Sequence, residues 1–372
     1  MINIYQPSLG KEELDAIKEV FESNWLGKGK KTEEFTRLMS EKLGVSRDNI
    51  ETVNSCTEGL FQIMRLLNLE EGDEVIIPSV HFIGAVNAIE SVGCKPVFCD
   101  VDKRTLNPSV EDIEEKITNR TKAIMILHYG GNPCDMDGIL NLCYERYDLK
   151  LIEDNANSPF SKYKGKNTGT IGDFGAWSFD SMKQLVMGDG GLVYIKDKDL
   201  VQKFIYETYL GLKSSSGFSN SIDTKWWEFD IDSPARRSII NDIQGAMGIE
   251  QIKKIDGFIT RRKEIHDIYT EQLNDLEWLT LPKDIDDDCN SSYYMYHVQT
   301  DTRDRFAKYL KDNGVYTTFR YYPLHLVEYY RDDSVILPNT EELSKTTLCI
   351  PLHQSLSDND VEYVIKMIRN YK

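Results

Sequence analysis

The sequence predicts an α/β protein: a large domain with a doubly wound, mostly parallel sheet, followed by a smaller C-terminal α+β domain. The large domain rests on two observations. Short β-rich runs alternate with helical stretches up to residue 154, and the stretches between runs suit right-handed crossovers. The smaller domain rests on a third. After a polar, aromatic-studded loop at 214–238, the pattern changes to one long helix and a tail of mixed strands and helices. We place the division near residues 245–250, within or just before that helix, giving a large domain over 1–247, with an N-terminal helical segment, and a small one over 248–372.

Each element has a local reason. "KEELDAIKEVF" (11–21) and "TEEFTRLMSEKLGV" (32–45) carry apolar residues at helical spacing, and Gly44 stops the second. "VNSCTEGLFQIMRLLNL" (53–69) is an apolar helix opened by polar residues. Then come strand "DEVIIPS" (73–79), helix "HFIGAVNAIESVG" (81–93), strand "KPVFCDV" (95–101) and helix "SVEDIEEKI" (109–117). Strand "TKAIMILHYG" (121–130), helix "DMDGILNLCYERY" (135–147) and strand "LKLIED" (149–154) continue the alternation. Two more apolar runs, one over Ala176 to Phe179 and one ending at Ile195, flank a connector holding Lys183 and the glycines 188, 190 and 191. A helix is expected over 241–273, and the tail mixes strand-like "YMYHVQT" and "VYTTFRYY" with helical "RDRFAKYLKDNG" and "NDVEYVIKMIRNY".

The bulk numbers narrow the function. The 372 residues are 40% hydrophobic and 28% charged, as in a soluble globular protein. A net charge of −17 argues against nucleic acid or an anionic membrane as the main partner. Seven scattered cysteines, with no metal-ligand spacing, read as small buried hydrophobes in a reducing compartment, so no metal site is expected. With no basic leader and no apolar run long enough for a membrane helix, the expected location is the cytoplasm.

In an open α/β sheet, ligands bind beyond the carboxyl ends of the strands. Asp154 closes one strand and His128 another; each also reads as a structural residue, Asp154 as a turn or cap. Thr57 and the amides of "NSCTEG" open an apolar helix and form either an anion site or an ordinary N-cap. Ser178 ends a strand five residues before Lys183. A lysine beside a glycine-rich connector, a strand-end aspartate and a phosphate cradle are the parts that a pyridoxal 5'-phosphate (PLP) site needs. The lysine bonds the cofactor aldehyde and later moves a proton, while the carboxylate keeps the ring nitrogen protonated. No GxGxxG follows the early strands, which argues against a nucleotide-binding oxidoreductase.

The chain also resembles the DegT/DnrJ/EryC1/StrS sugar aminotransferases, which have the fold-type I PLP-dependent architecture. The likeness spans nearly the whole chain and is carried by "GDEVIIPSVHFIGAVNAI", "GCKPVFCDVD", "NPCDMD", "IEDNANS", "YKGKNTGTIGDFGAWSF", "SFDSMKQLVMGDGG" and "NDIQGAMGIEQI". It implies that Lys183 binds the cofactor covalently and that Asp154 faces its pyridine nitrogen. It also implies that Thr57, Glu58 and Ser178 bind its phosphate, that Phe82 stacks on its ring and that Asn157 lies near it. Some members carry histidine in place of the lysine and act as dehydratases, so the lysine implies transamination.

The sequence departs from the family in places. Asn157 is shorter than the usual glutamine or histidine, "GDGG" replaces "GEGG", and Asp180 stands where an aromatic or histidine is common. Arg237 in "RRSIIND" stands where an asparagine usually reaches the neighbouring subunit's cofactor phosphate, and it could pair bidentately with that phosphate or be a solvated arginine. The resemblance implies a homodimer with shared sites, and transfer of an amino group from L-glutamate to a nucleotide-linked keto sugar, foremost a 4-keto-6-deoxyhexose, for surface polysaccharide or natural-product assembly. Candidate substrate contacts are His325, Arg320, Trp226 and Lys28. Two alternatives stay open: a smaller or non-nucleotide keto substrate, such as a phosphorylated ketone, and a non-catalytic PLP-binding regulatory protein.

Overall fold

A computed structural model describes residues 1–213 and 229–371. Seven strands form the main sheet: β1 (Ile50–Val53), β2 (Glu74–Pro78), β3 (Lys95–Cys99), β4 (Thr121–Leu127), β5 (Lys150–Asp154), β8 (Phe174–Ser178) and β9 (Gly191–Ile195), in the order β1-β9-β8-β5-β4-β2-β3. The run from β3 to β8 is parallel throughout. Strand β9 runs antiparallel to both β8 and β1. The expected α/β fold is therefore the observed one. Sequence reading passed over β1, because "IETV" is four residues long with two polar side chains.

Alternation along the strands sends side chains to both faces, and both faces are covered by helices. Val75, Ile77, Ala123, Met125, Ala176 and Val193 point towards α3 (Cys56–Leu66), α4 (Ile83–Glu90) and α7 (Lys198–Thr208). Ile76, Ile124, Ile126 and Leu151 pack on the other face against α5 (Val110–Glu114) and α6 (Met136–Leu140). Trp177, Leu192 and Tyr194, also on that face, meet α2 (Lys30–Leu43) and the start of α8 (Asp242–Leu273). The short strands β6 (Lys162–Tyr163), β7 (Lys166–Asn167) and β10 (Cys289–Asn290) make a small antiparallel ribbon.

Helix α8 contributes to two cores. Ile249, Ile252 and Ile255 pack with α2 against the sheet. Ile265, Tyr269 and Leu273 join a separate core with β11 (Tyr296–Gln299), β12 (Thr347–Ile350), α9 (Arg303–Asp312) and α11 (Asp358–Arg369). At its head, the Asp242 carboxylate accepts from the amides of Gly29 (2.8 Å) and Thr32 (3.0 Å), pinning the start of α2. The N-terminus joins the second core's side, through an Ile2–Val315 bridge, and α1 (Lys11–Glu22) lies along α8. Helix α10 (Pro338–Thr346) precedes β12 and is capped by Asp100 beyond β3, which accepts from the amides of Asn339 and Thr340. No helix among the described residues is long and apolar enough to cross a membrane.

Candidate active site

Beyond the carboxyl ends of β1, β2, β5 and β8 lies a cavity of about 380 Å³. Four chain segments leaving those strands build its walls, which is where an open parallel sheet presents loops and helix N-termini.

Helix α3 starts at the end of β1. Ser55 caps it, its hydroxyl accepting from the Glu58 amide at 3.1 Å. The amides of Cys56 and Thr57 precede the first intrahelical bonds, and the positive end of the helix dipole faces the cavity. The first residue of β9 lies directly against this turn: a Cβ on Gly191 would stand 2.6 Å from the Cys56 nitrogen. Glycine is required there by space.

Asp154 ends β5 and is 2% exposed. Its Oδ1 accepts from the Ala156 amide at 2.9 Å, and its Oδ2 faces His81 Nε2 at 3.8 Å. Burial lowers the His81 pKa against the pull of Asp154, so the ring is neutral. Its Nδ1 accepts from the Phe82 amide at 2.9 Å, which leaves the proton on Nε2, towards Asp154. The preceding carboxylate, Glu153, points to the other side. It accepts from the amides of Gly169, Ile171 and Gly172 and from His128 Nε2, so His128 is structural.

Lys183 lies on the connector between β8 and β9. The connector folds on itself: the amide of Phe179 donates to Gly190, and that of Met187 to Phe179. Leu185, Val186 and Met187 are buried and anchor it. Gln184 donates to the carbonyl of Asn157 and to Ser292, so the neighbouring Lys183 is held at the cavity wall, 8% exposed. Its Nζ lies 4.8 Å over the ring of Tyr294. Burial pulls the ammonium towards neutrality, but Tyr294, Tyr321 and Asp154 outweigh it and the net direction is upward.

Two buried polar atoms in and behind the wall, Asn157 Oδ1 and His81 Nε2, have no partner among the described residues. At Gly84 a Cβ would come within 2.9 Å of Thr57 and of Phe82, so the wall is shaped closely around Phe82. An anion cradle, a buried carboxylate and an amine at one cavity fit a planar, phosphorylated pyridine aldehyde.

Residues 7–369 match the DegT/DnrJ/EryC1/StrS aminotransferase family. The chain belongs to this family. A dTDP-4-dehydro-2,3,6-trideoxy-D-glucose 4-aminotransferase of Saccharopolyspora spinosa is 44% identical over 98% of the chain and 95% of the relative. The aminotransferase TlmJ of Streptoalloteichus hindustanus superposes with a TM-score of 0.94 at 45% identity, covering 99% of this chain and 98% of that one. The Spr1654 protein of Streptococcus pneumoniae in its PMP form has a TM-score of 0.92 at 25% identity, with 99% and 98% covered.

In this DegT/DnrJ/EryC1/StrS aminotransferase, the cavity brings together Lys183, Asp154, Thr57, Phe82, Asn157, Ser178 and Arg320 from the residues singled out in the sequence. Others lie elsewhere. The Glu58 amide is spent on Ser55, and its carboxylate is held by Arg236 and Ser238, so it does not line the cavity. His325 is buried behind β2, its Nδ1 2.6 Å from Ser79 Oγ, and offers nothing to a substrate in the cavity. Lys28 pairs with Glu51 at 2.8 Å, outside the cavity lining. Arg237 is exposed, its guanidinium 5.4 Å from the Tyr209 ring centre, outside the cavity lining. Trp226 lies outside the described residues.

Sequence reading missed Tyr321, which lines the cavity, accepts from Asn157 Nδ2 at 3.2 Å and meets Phe82 edge-on at 5.9 Å. It also missed Tyr294 and His81. The signal for Tyr321 was its place next to Arg320 in "FRYYPLH".

Proposed function

We propose that this aminotransferase uses PLP to move an amino group from L-glutamate to the C4 ketone of a nucleotide-linked 4-keto-6-deoxyhexose. The observation that carries the proposal is the convergence of the Lys183 amine, the Asp154 carboxylate and the α3 N-terminus on one cavity. The Saccharopolyspora spinosa relative supports C4 as the aminated position. When bound, the cofactor supplies an aldehyde that takes up amines and a protonated ring that withdraws electrons from the carbon next to the nitrogen.

The protein does the rest. Asp154, backed by the His81 Nε2–H, would hold the proton on the ring nitrogen. Thr57, Ser178 and the first amides of α3 would hold the phosphate. Phe82 and Asn157, the latter tied to Tyr321, would hold the ring. Lys183 Nζ would take up and return the proton of the reacting carbon, and the cavity walls would exclude water while it does so. Arg320 takes a carboxylate of the amino donor or a phosphate of the acceptor. Arg237 reaches the phosphate in the partner protomer of a cytoplasmic homodimer, with shared sites completed from both chains.

The test is spectroscopic. Purified holoenzyme should lose its visible band on addition of L-glutamate and regain it on addition of a nucleotide 4-keto sugar. A band that glutamate leaves untouched, or a Lys183→Ala protein with the wild-type band, defeats the reading.

A further inference from the structure

Among the described residues, the Lys183 amino group makes no hydrogen bond and no ion pair, although the side chain is 8% exposed. The amino group borders the cavity, so the groups beside it there decide how it is held as an ammonium. What faces it is the ring of Tyr294, 4.8 Å from Nζ to the ring centre. The negative face of an aromatic ring attracts a cation, and more strongly where water is excluded.

The ring is held firmly in that position. The Tyr294 amide donates to the Gly130 carbonyl at 2.8 Å. Arg262, itself fully buried, donates to the carbonyls of Tyr293, Tyr294 and Leu352 and so clamps the backbone on both sides of the ring's attachment. Tyr5 stacks on Tyr294 at 5.2 Å and 11°, and the Arg320 guanidinium lies 4.8 Å from the Tyr5 ring centre. The two cations of the cavity wall thus each rest on one ring of the same aromatic pair. The Tyr294 hydroxyl is buried without a partner among the described residues, so the face of the ring, not the hydroxyl, does the work.

We infer that Tyr294 is a positioning residue for amino transfer: its ring face receives the Lys183 amino group as an ammonium whenever that group is not covalently engaged. This rests on the reading that Lys183 is the cofactor's lysine. The platform keeps the ammonium within the cavity between the two halves of the reaction, rather than letting it swing towards solvent.

Fluorinated phenylalanines at position 294 provide the test, because they drain the ring face without changing its size. Full-length protein freed of cofactor is mixed with PLP across a pH series, and growth of the visible band is followed; capture requires the neutral amine. Tyr294→Phe should behave as wild type. Successive fluorination should lower the pH of half-maximal capture stepwise, by about 0.5 to 1 unit in total. Folding of each variant is checked by circular dichroism. A midpoint that ignores fluorination while capture still depends on Lys183 overturns this inference alone. A Lys183→Ala protein that forms the same band overturns the cofactor reading, and this one with it.

Discussion

Gly191→Ala tests how the anion cradle is built. The new methyl would sit 2.6 Å from the Cys56 nitrogen and 2.7 Å from the Ser55 carbonyl carbon, both backbone atoms that cannot rotate away. Ordinary contact requires the start of α3 and the start of β9 to part by about 0.8 Å. An amide donating to phosphate at about 2.9 Å would then stand near 3.7 Å, beyond hydrogen-bonding range. Loss of one hydrogen bond to a charged group costs about 1.5–3 kcal/mol, or roughly a 10- to 150-fold rise in dissociation constant. The assay is titration with pyridoxamine phosphate, which binds without a covalent bond and so reports the cradle directly, alongside thermal unfolding. Gly257→Ala is the control: no atom lies within 4 Å of its Cβ position on α8, and the change should stabilise by about 0.5–1 kcal/mol without altering affinity. If Gly191→Ala binds pyridoxamine phosphate within twofold of wild type, the close approach does not set the cradle and the reasoning is wrong.

Asp154→Asn should keep the fold and the cofactor but lower kcat by at least about 100-fold, because a neutral amide cannot hold the ring proton; steady-state turnover decides it. Arg237→Ala should raise the dissociation constant for pyridoxamine phosphate about 10-fold and leave the KM for the keto sugar unchanged, whereas a change confined to KM counts against the cross-subunit contact. Burial lowers the pKa of both His297 and His353 to about 4, below the ordinary value near 6.5 that an unfolded chain shows. Between those values the unfolded chain binds more protons, so stability falls as pH drops from about 6.5 to 4, by roughly 1.4 kcal/mol per unit for each histidine. Denaturant titrations at pH 7, 5.5 and 4.5 should show that slope, and His297→Leu should remove its share while that of His353 remains.

Much of the large domain was legible because its strands are buried on both faces and therefore appear as continuous apolar runs between helices. β1 escaped for the opposite reason: Glu51 and Thr52 interrupt it, and the Glu51 charge is compensated by Lys28 from a distant segment. In the site, Asp154, Ser178 and Thr57 were visible because each ends a strand or opens a helix, positions defined by local sequence. Within "FRYYPLH" no local rule tells which side chain turns inward. Packing sends Arg320 and Tyr321 to the cavity and buries His325 against Ser79.

The sequence by itself determined the order of the elements, the placing of a lysine beside a glycine-rich turn, and the family, since these depend on neighbours within a few residues. The tertiary structure alone decided what that lysine faces. Tyr5, His81, Tyr294 and Tyr321 come from separate segments of the chain, and Tyr5, Tyr294 and Tyr321 reach the site through a cluster they share with Val80, Leu127 and Tyr129. A pocket's chemistry depends on distances through space, and those are set only when the separate segments pack together.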